Sequence, residues 1–206
     1  MGNTLKRPKL NEAVAGKDPF ILFKKWYGSA YKLMGEDASA MALTTSADNK
    51  PNSRIVYLRG RDKNSFWFFT NYNGQKAKDL SKNKNACLLF YWTSMSIQVR
   101  IRGKVEKLSV KESDKYFAGR PHGSQIGAWS SPQSKVIPNR EILDALVIKF
   151  TKEFEGKRIS RPPHWGGYRL IASSFEFWQA RESRLHDRII FGKQKNGKWK
   201  VERLAP

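Results

Sequence analysis

Short runs of strand-forming residues separated by turn residues recur along this 206-residue chain. Runs rich in Val, Ile, Phe, Tyr and Trp are typical of strands, and clusters of Asp, Asn, Lys and Pro such as residues 48–51 are typical of turns. We expect strands over residues 40–45, 54–60, 65–70, 86–92 and 97–108, and again over residues 167–171, 174–179, 188–192 and 199–204. Many short strands with tight turns predict an antiparallel barrel or sandwich.

Helical patterns flank these strands. Asp18 and Pro19 suit the N-cap and first residue of a helix that ends near Gly35. Residues 75–84 are polar and helix-prone. Residues 110–118 begin with a capping box in which Ser109 is the N-cap and Glu112 its partner. Residues 138–154 form an amphipathic pattern. The stripe of that last helix consists of Ile142, Leu143, Leu146 and Phe150. The fold class predicted is therefore mainly β with flanking helices, as one domain over residues 18–206 after a flexible basic tail over residues 1–17.

Composition narrows the classes of function. The net charge is +21, which favours polyanions, but the basic residues spread over the whole chain without a zinc-finger or RNA-recognition signature, so nucleic acid is not the expected main partner. No apolar run approaches the roughly 20 residues that span a membrane. Cys87 has no second cysteine to pair with, which favours the cytoplasm. His122, His164 and His186 lack metal-ligand spacing, so no protein-bound metal is expected.

The last thirty residues combine strand-forming residues with charged and aromatic ones. Trp178 precedes a segment in which Arg184, His186, Asp187 and Arg188 surround a leucine, a combination that predicts a ligand site. Elsewhere, positive and hydroxyl side chains stand at the expected ends of strands and helices. Such side chains bind phosphate monoesters through charge-assisted hydrogen bonds, and their number suits two phosphates better than one.

Several separated motifs occur together in this chain. They are Arg54-Ile55-Val56-Tyr57-Leu58-Arg59, Thr70-Asn71 with Gln75-Lys76, Tyr116-Phe117 with Arg120-Pro121, Ser124 to Trp129, Gln133-Ser134, and the closing Phe-Trp-Gln with Arg-Leu-His-Asp-Arg. With these motifs the chain closely resembles the pyridoxine (pyridoxamine) 5′-phosphate oxidase family, from about residue 18 to residue 206. The resemblance implies an antiparallel, Greek-key type split β-barrel that forms a homodimer, with FMN in two clefts at the subunit interface.

The resemblance also implies the roles of individual residues. It assigns to FMN the residues Arg54, Ile55, Val56, Tyr57, Leu58, Arg59, Phe69, Thr70, Gln75, Lys76, Gln98, Gln133, Ser134, Trp178 and Arg188. It assigns to the substrate Arg59, Tyr116, Arg120, Ser124, Arg184, Leu185 and His186, with Arg184 and His186 as the catalytic pair. The implied reaction transfers a hydride equivalent from C4′ of pyridoxamine or pyridoxine phosphate to FMN, which O2 then reoxidises to give H2O2.

Two positions depart from the pattern that the family commonly shows. Arg59 stands where the family has Lys, and Gln75 stands where it has Arg, so that one positive charge beside the FMN phosphate is absent. We expect weaker retention of FMN from Gln75. Arg54 and Arg59 are five residues apart and would face opposite sides of a regular strand. Either the strand bends or ends before Arg59, or the two arginines serve different ligands or subunits.

Two other functions stay open on the sequence alone. A related split-barrel flavoprotein could oxidise another ring, such as a phenazine precursor. A non-catalytic module could bind flavin, pyridoxal phosphate or nucleic acid, for which the net charge is the independent support.

Overall fold

Six helices surround the sheet within the part of the chain that the computed structural model describes, residues 8–206. They are α1 (Glu12–Ala15), α2 (Pro19–Met34), α3 (Gln75–Lys82), α4 (Val110–Ala118), α5 (His122–Ser130) and α6 (Arg140–Glu153). The predicted caps are confirmed: the Asp18 side chain accepts from the Phe20 amide, and Ser109 and Glu112 form the capping box of α4. These caps satisfy amide groups that a helix leaves unpaired at its start.

Nine strands form one antiparallel sheet within residues 8–206. They are β1 (Ala40–Ala47), β2 (Lys50–Tyr57), β3 (Gly60–Arg61), β4 (Ser65–Asn71), β5 (Asn85–Trp92), β6 (Ile97–Lys107), β7 (Trp165–Gln179), β8 (Asp187–Lys193) and β9 (Trp199–Leu204). The order is β2-β1-β5-β6-β7-β4-β3, with β8 on β7 and β9 on β8. The predicted mainly β class with flanking helices is confirmed.

Strand β7 is the point at which the sheet divides. Its first half pairs with β4 and its second half pairs with β8, while β6 runs along both halves. The register between β6 and β7 shifts beside Gly103, where a Cβ atom would lie 2.0 Å from the carbonyl oxygen of Ile171. We had expected two strands here, over residues 167–171 and 174–179. The irregularity at Ser173 accounts for the apparent break, because one extra residue interrupts the alternation without ending the strand.

The main core lies between α2 and one face of the sheet. Phe23 is fully buried and contacts the rings of Phe66, Phe90 and Trp92. A second, smaller cluster of Phe117, Ile126, Ile159 and Trp165 fixes α4 and α5 to the start of β7. This smaller cluster matters for function because α4, α5 and β7 border a cavity of about 1000 Å³.

Three expectations need correction. Residues 8–17 are not a flexible tail: Leu10 is 1% exposed and its amide donates to the Gln179 side chain, while residues 1–7 lie outside the described residues. Helix α5 was not predicted. Helix α6 forms as expected, and Phe150 of its apolar stripe packs against the second cluster, but Ile142 of the same stripe is 43% exposed.

None of the helices within residues 8–206 is both long and apolar enough to cross a membrane.

Candidate active site

A cavity of about 1000 Å³ opens between β2, β4, the first turn of α3, and the α4–α5 corner. It brings together twelve of the predicted site residues. They are Arg54, Ile55, Val56, Tyr57, Arg59, Phe69, Thr70, Lys76, Tyr116, Arg120, Ser124 and Gln133.

Lys76 and Thr70 meet at the α3 end of the cavity, where both contact Gln133. Lys76 Nζ donates to Gln133 Oε1 at 2.8 Å, and Thr70 Oγ1 donates to the same oxygen at 3.3 Å. Burial, together with the charge of Arg54, lowers the pKa of Lys76. Gly74 leaves room for this arrangement, since a Cβ atom there would lie 2.6 Å from Gln133 Oε1.

Arg54 is held from behind by β1 and α3. Its Nη1 donates to the Leu43 carbonyl oxygen at 3.0 Å and to Thr45 Oγ1 at 2.8 Å, and its Nη2 lies 3.6 Å from Asp79 Oδ2. Burial lowers the pKa of Arg54, while the charge of Asp79 opposes that shift. This end of the cavity therefore holds two partly desolvated cations and one carboxylate.

At the α4–α5 end, Arg120 lies over the indole of Trp165, with its guanidinium carbon 4.6 Å from the ring centroid. Arg120 Nη1 is buried and has no hydrogen-bond partner within residues 8–206. Burial lowers the pKa of Arg120 as well. Tyr116 stacks on Phe69 at a centroid distance of 3.7 Å and forms an adjacent wall. A buried guanidinium nitrogen without a partner indicates room for an anion.

The question about the first motif is settled by where β2 ends. The strand stops at Tyr57, and the Arg59 amide donates to the Trp67 carbonyl oxygen of β4 at 2.9 Å. Because the chain leaves the strand before Arg59, both Arg54 and Arg59 line the same cavity. Arg59 also pairs with Glu36 at 2.8 Å.

The other predicted site residues do not line this cavity. Leu58 is 6% exposed and packs in the main core. The side-chain amide of Gln75 donates to Asp79, and the backbone amide of Gln75 donates to Ser134 Oγ at 3.3 Å. The remaining six lie on β6, β7, β8 and the turn between β7 and β8. We call them the C-terminal cluster: Gln98, Trp178, Arg184, Leu185, His186 and Arg188.

Register and ring contacts assemble the C-terminal cluster. Gln98, Trp178 and Arg188 are neighbours across β6, β7 and β8. The rings of Trp178 and His186 lie 4.5 Å apart, and His186 Nδ1 accepts from the Arg181 amide at 3.1 Å. Because Nδ1 accepts, the neutral ring carries its proton on Nε2.

Carboxylate and carbonyl groups hold Arg188, whereas the turn before it projects outward. Arg188 donates twice to Glu176 Oε1 and once to the Ala205 carbonyl oxygen. Arg184 has a left-handed backbone with φ of 61°, and Leu185 is 68% exposed. A left-handed non-glycine residue that carries an exposed apolar neighbour is typical of a functional turn.

Sequence reasoning missed Trp165 and Asp79. Trp165 belongs to none of the motifs, yet it lines the cavity and supports Arg120. Asp79 is 2% exposed and accepts from three side chains, those of Thr45, Asn52 and Gln75. The spacing of Gln75 and Asp79 by four residues on a predicted helix was the available signal for Asp79.

The residues at the α3 end fit the phosphate of FMN. Two cations with lowered pKa values, a helix start and a glycine-lined recess supply the donors and the space that a phosphate monoester requires.

Comparison with protein families gives two matches that together cover most of the chain. Residues 30–152 match the family model described as pyridoxamine 5′-phosphate oxidase. Residues 165–206, which include most of the C-terminal cluster, match the model described as the pyridoxine 5′-phosphate oxidase C-terminal dimerisation region.

Curated relatives agree over nearly the full length. The pyridoxine/pyridoxamine 5′-phosphate oxidase of Cupriavidus necator is 48% identical over 198 residues, which is 96% of this chain and 93% of the relative. That of Nostoc punctiforme is 47% identical, over 96% of this chain and 92% of the relative.

Solved structures share the architecture. PhzG from Burkholderia lata 383, in complex with tetrahydrophenazine-1-carboxylic acid, superposes with a TM-score of 0.89 at 28% identity, over 99% of this chain and all of that one. An FMN-binding protein from Nostoc punctiforme that is related to pyridoxamine 5′-phosphate oxidase has a TM-score of 0.73 at 16% identity, over 93% of this chain and all of that one. At that identity the second likeness shows the fold alone, and the predicted split-barrel fold is confirmed. Since a family model covers more than half of the chain and relatives are almost half identical over nearly all of it, the chain belongs to the pyridoxamine 5′-phosphate oxidase family, whose cofactor is FMN.

Proposed function

We propose that this chain, as a homodimer, oxidises pyridoxamine 5′-phosphate and pyridoxine 5′-phosphate to pyridoxal 5′-phosphate with FMN. The observation that carries the proposal is a single cavity with cations at both ends: Arg54 of β2 and Lys76 of α3 at one end, and Arg120, which follows α4, at the other. A reaction in which cofactor and substrate each carry a phosphate monoester requires two such positions. The two nearly full-length relatives named for this activity add support.

The α3 end would hold the FMN phosphate through Arg54 and Lys76, with Thr70 and Gln133 beside it. Arginine offers a planar fork and lysine a point charge, which is a common combination for phosphate. Gln98, Trp178 and Arg188 would contact the rest of the cofactor. When bound, FMN supplies the acceptor for the hydride equivalent that leaves C4′ and is reoxidised by O2, with H2O2 as the product.

The α4–α5 end would hold the substrate phosphate. Arg120 Nη1 is free to donate among the residues described, and Tyr116 and Ser124 line the same end with hydroxyl groups. Binding the phosphate at a fixed point orients the pyridine ring, and orientation is a large part of what an enzyme contributes when the cofactor performs the chemistry.

Arg184 and His186 would complete the substrate site. We assign to Arg184 the orientation and electrostatic stabilisation of the ring, and to His186 a hydrogen bond from Nε2, because its Nδ1 already accepts from the Arg181 amide. Leu185 would add an apolar contact from its exposed position.

A second copy of the chain would bring the C-terminal cluster to the cavity. In one chain these residues lie outside the cavity lining, and Leu185 is exposed. The cluster falls mostly within the segment that matches the dimerisation region of the family. A two-fold dimer presents the same pair of surfaces twice, so that each of two sites would combine one cavity with the partner's cluster.

The second candidate substrate is a reduced phenazine, because the structure of PhzG superposes over almost the whole chain. Arg120 favours the phosphorylated B6 substrate, since a buried cation without an anion is costly to maintain unless a ligand supplies one.

The deciding experiment is anaerobic addition of pyridoxine 5′-phosphate to the FMN-loaded protein, followed by absorbance. We expect the blue absorption band of the flavin to bleach and to return when air is admitted, and unphosphorylated pyridoxine to bleach it far more slowly. Flavin that stays oxidised with both B6 phosphates but bleaches with tetrahydrophenazine-1-carboxylic acid would overturn the proposal in favour of the second candidate.

A further inference from the structure

Asp79 is a buried carboxylate directly behind the expected FMN phosphate position. It lies on α3, is 2% exposed, and accepts from Thr45 Oγ1 at 2.6 Å and from Asn52 Nδ2 at 3.2 Å. Although burial alone would raise its pKa, hydrogen bonds from Thr45, Gln75 and Asn52 and the charge of Arg54 together lower the pKa of Asp79. Asp79 is therefore charged at neutral pH.

The charge of Asp79 acts on the cation that the phosphate needs. Arg54 Nη2 lies 3.6 Å from Asp79 Oδ2, so a phosphate bound at Arg54 shares that guanidinium with a carboxylate. Besides Thr45 Oγ1, which itself donates to Asp79, Arg54 Nη1 has a partner that does not involve Asp79, the Leu43 carbonyl oxygen. The effect of Asp79 on an anion at Arg54 is thus mainly repulsion.

Gln75 leaves this repulsion uncompensated. Its side-chain nitrogen donates to Asp79 Oδ1 at 2.8 Å, which satisfies a hydrogen bond but adds no charge. A cation at position 75, one helical turn before Asp79, would reach the same carboxylate and neutralise it. The neutral residue therefore acts on the phosphate site through Asp79.

We propose that Asp79 is a specificity-determining residue for the cofactor: its carboxylate competes with the FMN phosphate for Arg54 and so limits the preference of the site for FMN over riboflavin. This inference rests on the placement of the FMN phosphate at Arg54 and Lys76 under the proposed function. The ring of the flavin is common to both ligands, so the ratio of the two dissociation constants reports the phosphate contribution alone.

The first test is Asp79→Asn, with FMN and riboflavin titrated separately into the apoprotein by flavin fluorescence. Removal of one unit charge close to the phosphate should raise the riboflavin-to-FMN ratio of dissociation constants about tenfold, with riboflavin affinity itself little changed. The matched control is Asp48→Asn, which removes the same charge at the far end of α3, where Asp48 pairs with Lys82. A ratio that stays the same or falls in Asp79→Asn would overturn the proposal.

The second test uses Gln75→Arg, a substitution at an exposed position whose side chain contacts Asp79. This variant should also raise the ratio, and its gain should shrink when Asp79→Asn is already present, since both changes remove the same repulsion. An equal gain in both backgrounds would mean that the new arginine contacts the phosphate directly, which contradicts the proposal. Gln75→Arg alone can still refute the proposal if Asp79→Asn does not fold, because the proposal requires a gain in the ratio.

These titrations contain no B6 substrate, so they are independent of which molecule the enzyme oxidises. Equal affinities of the wild-type protein for FMN and riboflavin would contradict the phosphate placement and this inference together. A raised ratio in the variants with no turnover of pyridoxine 5′-phosphate would support this inference while rejecting the proposed substrate.

Discussion

Arg120 of the cavity and Arg188 of the C-terminal cluster differ in the partners that the chain offers them. In the cavity, Arg120 Nη1 has no hydrogen-bond partner among the described residues. In the C-terminal cluster, Arg188 is held by Glu176 and by the Ala205 carbonyl oxygen, and Glu176 also pairs with Arg100. The first region has excess positive charge that is partly buried, whereas the second region has its positive charge largely neutralised.

This difference indicates what each region contributes. A buried cation without an anion is suited to bind one, so the cavity would supply the phosphate positions. A neutralised, hydrogen-bonded arginine beside Trp178 is suited to contact a ring edge, and the exposed Arg184 and Leu185 are suited to reach a neighbouring molecule. On this account the cavity binds the anions and the partner's cluster closes over the rings.

The largest effect should come from Arg120→Ala. The substrate phosphate would lose its buried partner, and we expect KM for pyridoxine 5′-phosphate to rise roughly 100-fold, about 3 kcal/mol. The dissociation constant of FMN should change little, because Arg120 is placed at the other end of the cavity. Steady-state kinetics and an FMN titration check both points, with the exposed Arg158→Ala as the matched control. A loss confined to FMN affinity would contradict the division of the cavity into two ends.

A smaller effect should come from Lys76. Burial and the charge of Arg54 lower its pKa, so this lysine loses its proton at a lower pH than an ordinary lysine. Because only the protonated form attracts phosphate, FMN affinity should fall as pH rises from neutral toward the ordinary lysine pKa of about 10.4. Lys76→Gln should weaken FMN binding about tenfold at neutral pH and flatten this dependence.

The control for Lys76 is Lys78→Gln, an exposed lysine on the same helix. Titrations of FMN across this pH range should give the wild-type slope for the control. An unchanged slope in Lys76→Gln would show that another group causes the pH dependence.

The strands and most helices could be predicted because their signals are local. The caps at Asp18 and Ser109 and the alternation along β6 depend on neighbouring residues only. Helix α5 lacks such signals: Pro121 at its start makes no side-chain cap, and Gly123 and Gly127 weaken its propensity. It depends instead on contacts distant in sequence, including Trp129, whose side chain donates to the Ser160 carbonyl oxygen.

The site residues became predictable through motifs, but their grouping did not. Nothing local in the sequence indicates that Arg54 and Arg59 share a cavity, because that depends on where β2 ends against β4. Trp165 gave no local signal either, since its position under Arg120 follows from the packing of α4 on β7. The motif resemblance also assigns the cavity residues and the C-terminal cluster to one site, whereas within one chain the cluster lies outside the cavity lining.

The central claim is that each active site combines the cavity of one subunit with the cluster of its partner. The most direct test is a heterodimer of Arg120→Ala and Arg184→Ala subunits, co-expressed with different tags and purified by both. One of its two sites then carries both substitutions and the other carries neither, so we predict about half the wild-type kcat/KM per dimer, although each homodimer loses most of its kcat/KM. A heterodimer as inactive as the two homodimers would contradict the claim, because it would mean that Arg120 and Arg184 of the same chain serve the same site.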